Sequence, residues 1–230
     1  ASRSLGQRLL FGAYPDVINH PGDEPAMLSS LAAGYLYKDV LSFGNVRRPE
    51  ILEKLLQALA LQLGNEVSYN ELAGLLKVNK DTIMNYIDLL EKSFIVFRLP
   101  PFSRNMRKEI ASSRKVYFYD NGLRNMLINN FNPLELRQDT GALWENFMVS
   151  ERKKRNLYAM HLHAAYFWRT YDGQEIDYVE DAGGKLSAFE FKWNPARIAK
   201  MPRAFADAYP DADWIVVNQD NFRPFLESNT

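Results

Sequence analysis

Hydrophobic and polar positions alternate with a period of two in three short segments in the last third of the chain. The segments cover residues 166–170, 175–179 and 186–193. Side chains of a β-strand point to opposite faces in turn, so this period predicts three strands. Asp172-Gly173 and Gly183-Gly184 supply the turns between them.

A helical period is found on both sides of these strands. Apolar residues recur at helical spacing over 141–155, after an N-cap at Asp139 or Thr140. A second helix is predicted over 197–209, and a buried strand over 213–218. The order of elements from residue 141 onward is therefore predicted to be α-β-β-β-α-β.

The first half of the chain is mainly helical in pattern. Residues 1–47 contain a short apolar stretch and one helix over 25–43, and we interpret them as a lead-in. Further on, Ser68 and Glu71 form an S-x-x-E capping box that opens a short helix. The elements predicted beyond the lead-in are helices over 49–63, 71–76, 80–92 and 123–128 and strands over 94–99 and 115–119.

This succession of helix, short turn, helix and two strands is typical of a winged helix-turn-helix. We place that module at residues 48–130, with Pro100-Pro101 beginning the loop, or wing, between its two strands. Together with the later strands and helices, the pattern predicts an α+β protein.

Composition narrows the classes of protein that fit. The 230 residues are enough for one large or two small domains, and 28 basic residues balance 28 acidic ones, so bulk charge indicates no partner. The absence of cysteine excludes disulfides and thiolate metal sites and fits a cytoplasmic protein. There is no apolar run of transmembrane length and no G-x-x-x-x-G-K-[ST] loop, so we expect neither a membrane partner nor P-loop ATP hydrolysis by this chain.

A small set of charged residues on the predicted strands carries candidate chemistry. Glu190 and Lys192 share one face of the third strand because they are two residues apart, and Asp177 lies on the neighbouring strand. Carboxylates suit Mg²⁺ or Mn²⁺, which polarise phosphate oxygens and activate water, and a nearby lysine can orient that water. This D…E-x-K arrangement is found in metal-dependent nucleases. The alternative is an ordinary ion pair on one strand face.

Basic residues cluster in two places. The predicted wing contains Arg104, Arg107, Lys108, Arg114 and Lys115, and the run Arg152, Lys153 and Lys154 lies in the helix over 141–155. The candidate recognition helix over 80–92 carries two lysines against three acids, which argues against base reading. We therefore expect contacts to the DNA backbone without sequence reading, or else two solvated basic surfaces.

The order α-β-β-β-α-β and the acidic motif resemble the core of the PD-(D/E)XK nucleases. The resemblance implies one active site made of Glu145, Asp177, Glu190 and Lys192. In that site the three acids would hold Mg²⁺ or Mn²⁺, and the lysine would position the water or the scissile phosphate. Ile176 stands where the motif usually has proline.

The chain as a whole resembles the C-terminal part of bacterial and archaeal AAA-like ATPases that carry domain of unknown function 4143. The motifs that match are FGAYPDVI, YLYKDVLSFG, EVSYNELAGLL, KVYFYDNGLRN, GALWENF, FWRTYDGQEIDYVE and AFEFKW, and they cover nearly the whole chain. The resemblance implies an ATPase module that precedes this chain and would supply ATP binding. It also implies a winged helix followed by a PD-(D/E)XK-like domain.

We therefore predict a lead-in over 1–47, a winged helix over 48–130 and a nuclease-like α/β domain over 131–230. The expected function is that of a DNA-associated, metal-dependent nuclease attached to an ATPase. Two non-enzymatic alternatives stay open. One is a binding or regulatory platform, and the other is an oligomerisation arm that forms a homo-oligomer.

Overall fold

The computed structural model describes residues 4–34, 40, 46, 48–102, 114–161 and 163–227. It divides the chain into two compact units. The first comprises Ala1–Arg98 with Val116–Asp139, and the second comprises Leu99–Lys115 with Thr140–Thr230. Both helices and sheets are present, so the predicted α+β class is confirmed. Segment Leu99–Lys115 is thus grouped with the later part of the chain.

The first unit is built mainly of helices. They are α1 Leu5–Phe11, α2 Pro15–Asn19, α3 Glu24–Leu31, α4 Pro49–Leu61, α5 Tyr69–Leu76, α6 Lys80–Lys92 and α7 Asn121–Leu127. Three short strands, β1 Glu66–Val67, β2 Val96–Leu99 and β3 Arg114–Phe118, form a sheet in the order β1-β3-β2.

Side-chain caps explain where several of these helices begin. The Ser68 hydroxyl accepts a hydrogen bond from the Glu71 amide at 3.3 Å, and the Asn79 side chain accepts one from Thr82 at 2.7 Å. Such caps satisfy backbone donors that have no partner within the helix. Both helix starts lie within two residues of their predicted positions.

The N-terminal segment is packed into the first unit and does not form a separate lead-in. The buried Asn125 amide donates to the carbonyls of Leu9 and Leu10 at 3.1 and 2.9 Å, which joins α7 to α1. Of the helix predicted over 25–43, the structure shows α3 and a π-helical turn at 32–34; most of the remainder lies outside the described residues.

The second unit has the element order that the sequence predicts from residue 141 onward. It contains α8 Thr140–Tyr158, β4 Ala164–Arg169, β5 Glu175–Ala182, β6 Lys185–Phe191, α9 Arg203–Ala208, β7 Asp213–Val217 and α10 Arg223–Leu226. The sheet order is β4-β5-β6-β7. The first three strands are antiparallel, and β7 pairs with β6 in parallel.

Helix α8 is held against this sheet by Trp144. Its indole nitrogen donates to the carbonyl of Val217 on β7 at 3.4 Å. Its ring makes edge-to-face contacts with Trp193 and Phe222, each with centroids 5.6 Å apart. Because Trp144 is fully buried, it fixes the first turns of the helix over the end of the sheet.

The helix predicted over 197–209 is shorter than expected. Helix α9 covers only Arg203–Ala208, and Pro202 is its N-cap residue. Proline disfavours the α conformation in the residue before it and lacks an amide hydrogen, so a helix cannot run through this point without a kink. The apolar period before Pro202 was therefore a misleading signal.

The close approach of α1 and α7 in the first unit leads to a testable prediction. A Cβ atom added to Gly122 would lie 2.2 Å from the carbonyl oxygen of Phe11. We expect Gly122→Ala to lower the free energy of unfolding by about 1–3 kcal/mol, because backbone atoms would have to move apart. Thermal unfolding followed by circular dichroism measures the change.

Gly74 provides a matched control in helix α5. A Cβ atom there would meet nothing within 4 Å. Gly74→Ala should raise stability by about 0.5–1 kcal/mol, since alanine loses less backbone entropy in a helix. Equal effects of the two substitutions would contradict the close packing of α1 on α7.

Candidate functional site

The predicted site residues lie together at one end of the second unit's sheet. Asp177 is on β5, one residue beyond the last pair of the β5–β6 register, which joins Tyr178 to Phe189. Glu190 follows in β6, and Lys192 comes directly after that strand. The second turn of α8 brings Glu145 to the same place.

Lys115 is a further member of the site. Its side chain is buried, with the residue 1% exposed, and its Nζ lies 3.1 Å from Glu145 Oε1 and 2.5 Å from Glu175 Oε1. Burial alone would lower the pKa of Lys115, but the charges of Glu145, Asp177 and Glu175 raise it above its ordinary value. Lys115 is therefore an ammonium ion inside the protein.

Asp177 lies in surroundings that disfavour its charged form. One of its oxygens accepts a hydrogen bond from the Phe191 amide at 2.8 Å. Burial, followed by the negative charges of Glu145 and Glu190, nevertheless raises the pKa of Asp177 well above its usual range. The three predicted acids thus lie close enough to repel one another.

Glu190 and Lys192 form a close ion pair that involves only one of the two carboxylate oxygens of Glu190. Lys192 Nζ lies 2.6 Å from Glu190 Oε1. The other oxygen, Oε2, is buried and has no hydrogen-bond partner among the residues that the structure describes. Burial lowers the pKa of Lys192, but the hydrogen bond and the charge of Glu190 raise it above its ordinary value. The backbone here is anchored by the Lys192 amide, which donates to Val217 at 3.0 Å.

We call this set the carboxylate–lysine cluster. Its members are the acids Glu145, Glu175, Asp177 and Glu190 and the lysines Lys115 and Lys192. Four carboxyl groups therefore stand against two ammonium groups. Within the described part of the chain, no three histidine, aspartate or glutamate side chains are grouped so as to hold a metal ion. The acids are close in space, and the two lysines pair with three of them, Glu145, Glu175 and Glu190.

The cluster's donors nevertheless fit a hard divalent cation. Carboxylate oxygens are the ligands that Mg²⁺ and Mn²⁺ take in proteins, and Mg²⁺ asks for only one or two of them. Glu190 Oε2 is a buried acceptor that has no hydrogen-bond partner in the described part of the chain. A cation would satisfy this oxygen and would relieve the repulsion that raises the pKa of Asp177.

Two members of the cluster were not predicted as site residues. Glu175 is two residues before Asp177 on β5, and the period of two would have placed both on the same face. Lys115 was interpreted as a backbone-contacting residue of the wing. The sequence did contain a signal for the burial of Lys115. This lysine begins the aromatic segment KVYFY, and a charge in a buried strand requires a partner.

The predicted DNA-backbone residues are divided by the structure. Arg104, Arg107 and Lys108 lie outside the described residues. For Lys115 and Arg152 the prediction of a surface contact is wrong, because both are buried. The Arg152 guanidinium donates two hydrogen bonds to the Glu180 carboxylate, from Nε to Oε1 at 2.8 Å and from Nη2 to Oε2 at 2.6 Å. Arg114 is half-buried, Lys153 is exposed, and Lys154 pairs with Glu151 at 2.6 Å.

Glu180 shows what a fully satisfied carboxylate looks like on the same strand. Besides Arg152, it accepts hydrogen bonds from Asn156 at 2.7 Å and from the Tyr178 hydroxyl at 3.0 Å. Burial opposes its ionisation, but these donors, Arg152 first among them, keep the pKa of Glu180 below its ordinary value. Both oxygens of Glu180 thus have donors, whereas in the carboxylate–lysine cluster Glu190 Oε2 has none among the described residues.

Comparison with known proteins divides the chain at almost the same place as the structure. Residues 2–134 match a family model described as Domain of unknown function (DUF8612), which covers more than half of the chain. The chain belongs to the DUF8612 family. Residues 140–229 match a second model, Domain of unknown function (DUF4143). The predicted resemblance to domain 4143 is thus confirmed for the second part alone, because the first part matches a different family.

The relatives of this DUF8612 protein are uncharacterized and longer than it is. Two are uncharacterized proteins of Mycobacterium tuberculosis and Mycobacterium bovis, each 29% identical over 173 residues, which is 74% of this chain and 38% of theirs. A third, from Methanocaldococcus jannaschii, is 25% identical over 158 residues, 66% of this chain and 34% of its own. No solved structure matches the chain. The described helices include none long and apolar enough to cross a membrane.

The raised pKa of Asp177 predicts how stability depends on pH. A carboxyl whose folded pKa is raised stabilises the fold while it is protonated, and that stability is lost as pH rises through the folded pKa. Asparagine cannot ionise but can still accept the Phe191 hydrogen bond. Without metal at about pH 8, we expect Asp177→Asn to melt at least about 3 °C higher than the wild type, since each pKa unit is worth about 1.4 kcal/mol.

The gain from Asp177→Asn should disappear as pH falls below about 4, where Asp177 is protonated in both states. Glu180→Gln is the matched control on the same strand, and it should lower stability by about 3 kcal/mol or more by leaving Arg152 buried without its partner. Differential scanning calorimetry in chelator measures both variants. Destabilisation by both at about pH 8 would contradict the electrostatic strain at Asp177.

Proposed function

We propose that the second unit is a PD-(D/E)XK-type phosphodiesterase that acts on DNA and depends on a divalent cation. The observation that carries this proposal is the buried Oε2 of Glu190, which has no hydrogen-bond donor among the described residues and lies in a cluster with four carboxyl groups for two ammonium groups. A buried acceptor of this kind costs free energy unless something satisfies it. A metal ion of charge +2 matches that requirement.

The acids and the lysine of the cluster have different roles in the proposed hydrolysis. When bound, Mg²⁺ or Mn²⁺ would polarise the scissile phosphate and lower the pKa of an attacking water. Asp177 and Glu190 would hold the ion, with Glu145 as a further acid at the site. Lys192 is tied to Glu190 at 2.6 Å, so its ammonium is placed to orient the water or to stabilise charge on the phosphate.

We infer that the first unit contains a winged helix that contacts the DNA backbone. Its support is the sequence of α5, α6, β2 and β3, with a sharp turn after α5 where Lys77 adopts a left-handed conformation. On α6, Asp88 and Glu91 pair with Arg98 at 2.7 and 2.5 Å. Because that helix carries acids, the phosphate contacts are assigned to the wing with Arg104, Arg107, Lys108 and Arg114, and to Lys153 and Lys154.

We further propose that the chain acts with an ATPase module of the same protein in the cytoplasm. The chain spans 38% and 34% of the curated relatives that it matches, which leaves room in those proteins for another domain. ATP would bind to that module. The lack of cysteine supports an intracellular, reducing compartment.

A DNA cleavage assay tests the nuclease proposal. Linear, nicked and single-stranded DNA are incubated with the intact chain and Mg²⁺ or Mn²⁺. We expect Lys192→Ala and Glu190→Gln to lower the cleavage rate by about 100-fold or more, because each removes a charge that acts on the reacting phosphate or its metal.

Lys185→Ala is the matched control for that assay. Lys185 is on the same strand, β6, and its exposed ammonium pairs with Asp213 at 3.0 Å, outside the cluster. Its substitution should leave cleavage unchanged, since an exposed pair contributes little. Absence of cleavage of every substrate, or an equal effect of the two lysine variants, would contradict the proposal.

One observation favours a second candidate function, a non-catalytic platform for DNA, protein or a homo-oligomer. The two lysines already neutralise part of the acidic charge, and the described residues contain no ready-made three-acid metal group. In that case the cluster would be a set of structural ion pairs. Calorimetric titration with Mn²⁺ then shows no binding that Asp177 and Glu190 control, and light scattering with DNA present shows which assembly forms.

A further inference from the structure

Lys115 is the most deeply buried charge in the carboxylate–lysine cluster. It lies on β3. Residues 100–102 are attached to β4 by two hydrogen bonds, from the Phe102 amide to Phe167 at 2.6 Å and from the Phe167 amide to Pro100 at 3.0 Å. The Phe167 ring lies under the ammonium, with its centroid 5.7 Å from Nζ. The Phe167 ring of β4 therefore contacts the buried ammonium of Lys115 directly.

The ammonium of Lys115 engages two of the four acids. Glu145 and Glu175 each place a carboxylate oxygen close to it, at 3.1 and 2.5 Å from Nζ. Glu175 also has Arg169 at 3.9 Å on its more exposed side. A buried ammonium costs several kcal/mol unless close acids compensate it, so these two carboxylates are bound to Lys115 in the folded protein.

The remaining two acids have different partners. Asp177 accepts a backbone hydrogen bond from Phe191, and Glu190 has its free Oε2. They come from adjacent strands, β5 and β6, at the same end of the sheet. Mg²⁺ needs only one or two carboxylates and keeps several waters, so this pair is sufficient for it.

We infer that Lys115 is a positioning residue of the site, which holds Glu145 and Glu175 away from the cation and leaves Asp177 and Glu190 as its ligands. The inference rests on the proposed metal site and narrows it. Glu145 is then an outer acid that is held in place by the lysine and contributes through its charge. Without Lys115, all four acids can turn toward the ion.

The inference predicts opposite changes in metal affinity and in activity. Lys115→Met keeps the length of the side chain but removes its charge, so Mn²⁺ should bind about tenfold more tightly because a nearby positive charge is gone. DNA cleavage should fall at the same time, since the acids are no longer held in the geometry of the wild type. Lys115→Arg, which retains the charge, should keep Mn²⁺ affinity closer to the wild type than Lys115→Met does.

A second set of variants tests the inference even where Lys115→Met does not fold. Glu145→Gln should weaken Mn²⁺ binding by only about threefold, because it removes a charge but no ligand. Asp177→Asn and Glu190→Gln should each weaken it by about 30-fold or more. Calorimetry and the electron paramagnetic resonance of Mn²⁺ measure affinity independently of cleavage.

The outcomes separate this inference from the proposed function. Wild-type protein that neither binds Mn²⁺ nor cleaves DNA overturns both. Binding in the wild type, combined with an effect of Glu145→Gln as large as that of Glu190→Gln, overturns the inference alone. So does a folded Lys115→Met variant whose Mn²⁺ affinity is unchanged or weaker.

Discussion

A carboxylate is buried at low cost only where hydrogen bonds or opposite charges replace its contacts with water. Strand β5 contains one carboxyl group that meets this requirement and one that does not. Glu180 is surrounded by Arg152, Asn156 and Tyr178, which hold it ionised. Asp177, three residues earlier, has one backbone amide and two acidic neighbours. The pKa of Glu180 is therefore lowered and that of Asp177 is raised. Strand β5 thus contains one acid whose charged form is stabilised, Glu180, and one whose charged form is disfavoured, Asp177.

We expect the chemistry at the end of β5 that contains Asp177. Ionic networks that serve only stability tend to be balanced, as they are around Glu180, because an uncompensated buried charge is costly. The carboxylate–lysine cluster keeps an excess of acids and one buried oxygen without a hydrogen-bond donor among the described residues. Perturbed carboxyl groups of this kind are concentrated at functional sites, although structural networks also shift pKa values. A fold does not determine a function, so the proposed chemistry rests on these particular side chains.

The two family matches and the two structural units divide the chain near the same point, except that Leu99–Lys115 falls in the first family match and in the second unit. One family model ends at residue 134 and the other begins at residue 140, and the second unit resumes at Thr140. Just before that point, Arg124 and Arg137 bind Asp139, at 2.5 Å and 2.8 Å. Burial opposes ionisation of Asp139, but hydrogen bonds from the two arginines lower its pKa to about 2. This ionic group stabilises the end of the first unit, whose last residue is Asp139.

Local signals in the sequence were enough for most elements, and they singled out four candidate residues that the structure places close together, Glu145, Asp177, Glu190 and Lys192. Turn glycines, helix caps and the period of two depend only on neighbouring residues, which is why the order from residue 141 onward was confirmed. The period was misleading before Pro202, where a backbone restriction overrode it. Fold class and the candidate acids Asp177 and Glu190 were therefore determined by the sequence itself.

The tertiary structure decided which charges face water and which face each other. Lys115 and Arg152 belong to basic runs that look alike in the sequence, yet one enters the acidic cluster and the other pairs with Glu180. Burial of a long side chain depends on what distant segments place around it, and the acids that hold Lys115 come from α8 and β5. No local pattern carries that information, because the partners are brought together only when the sheet and the helix pack.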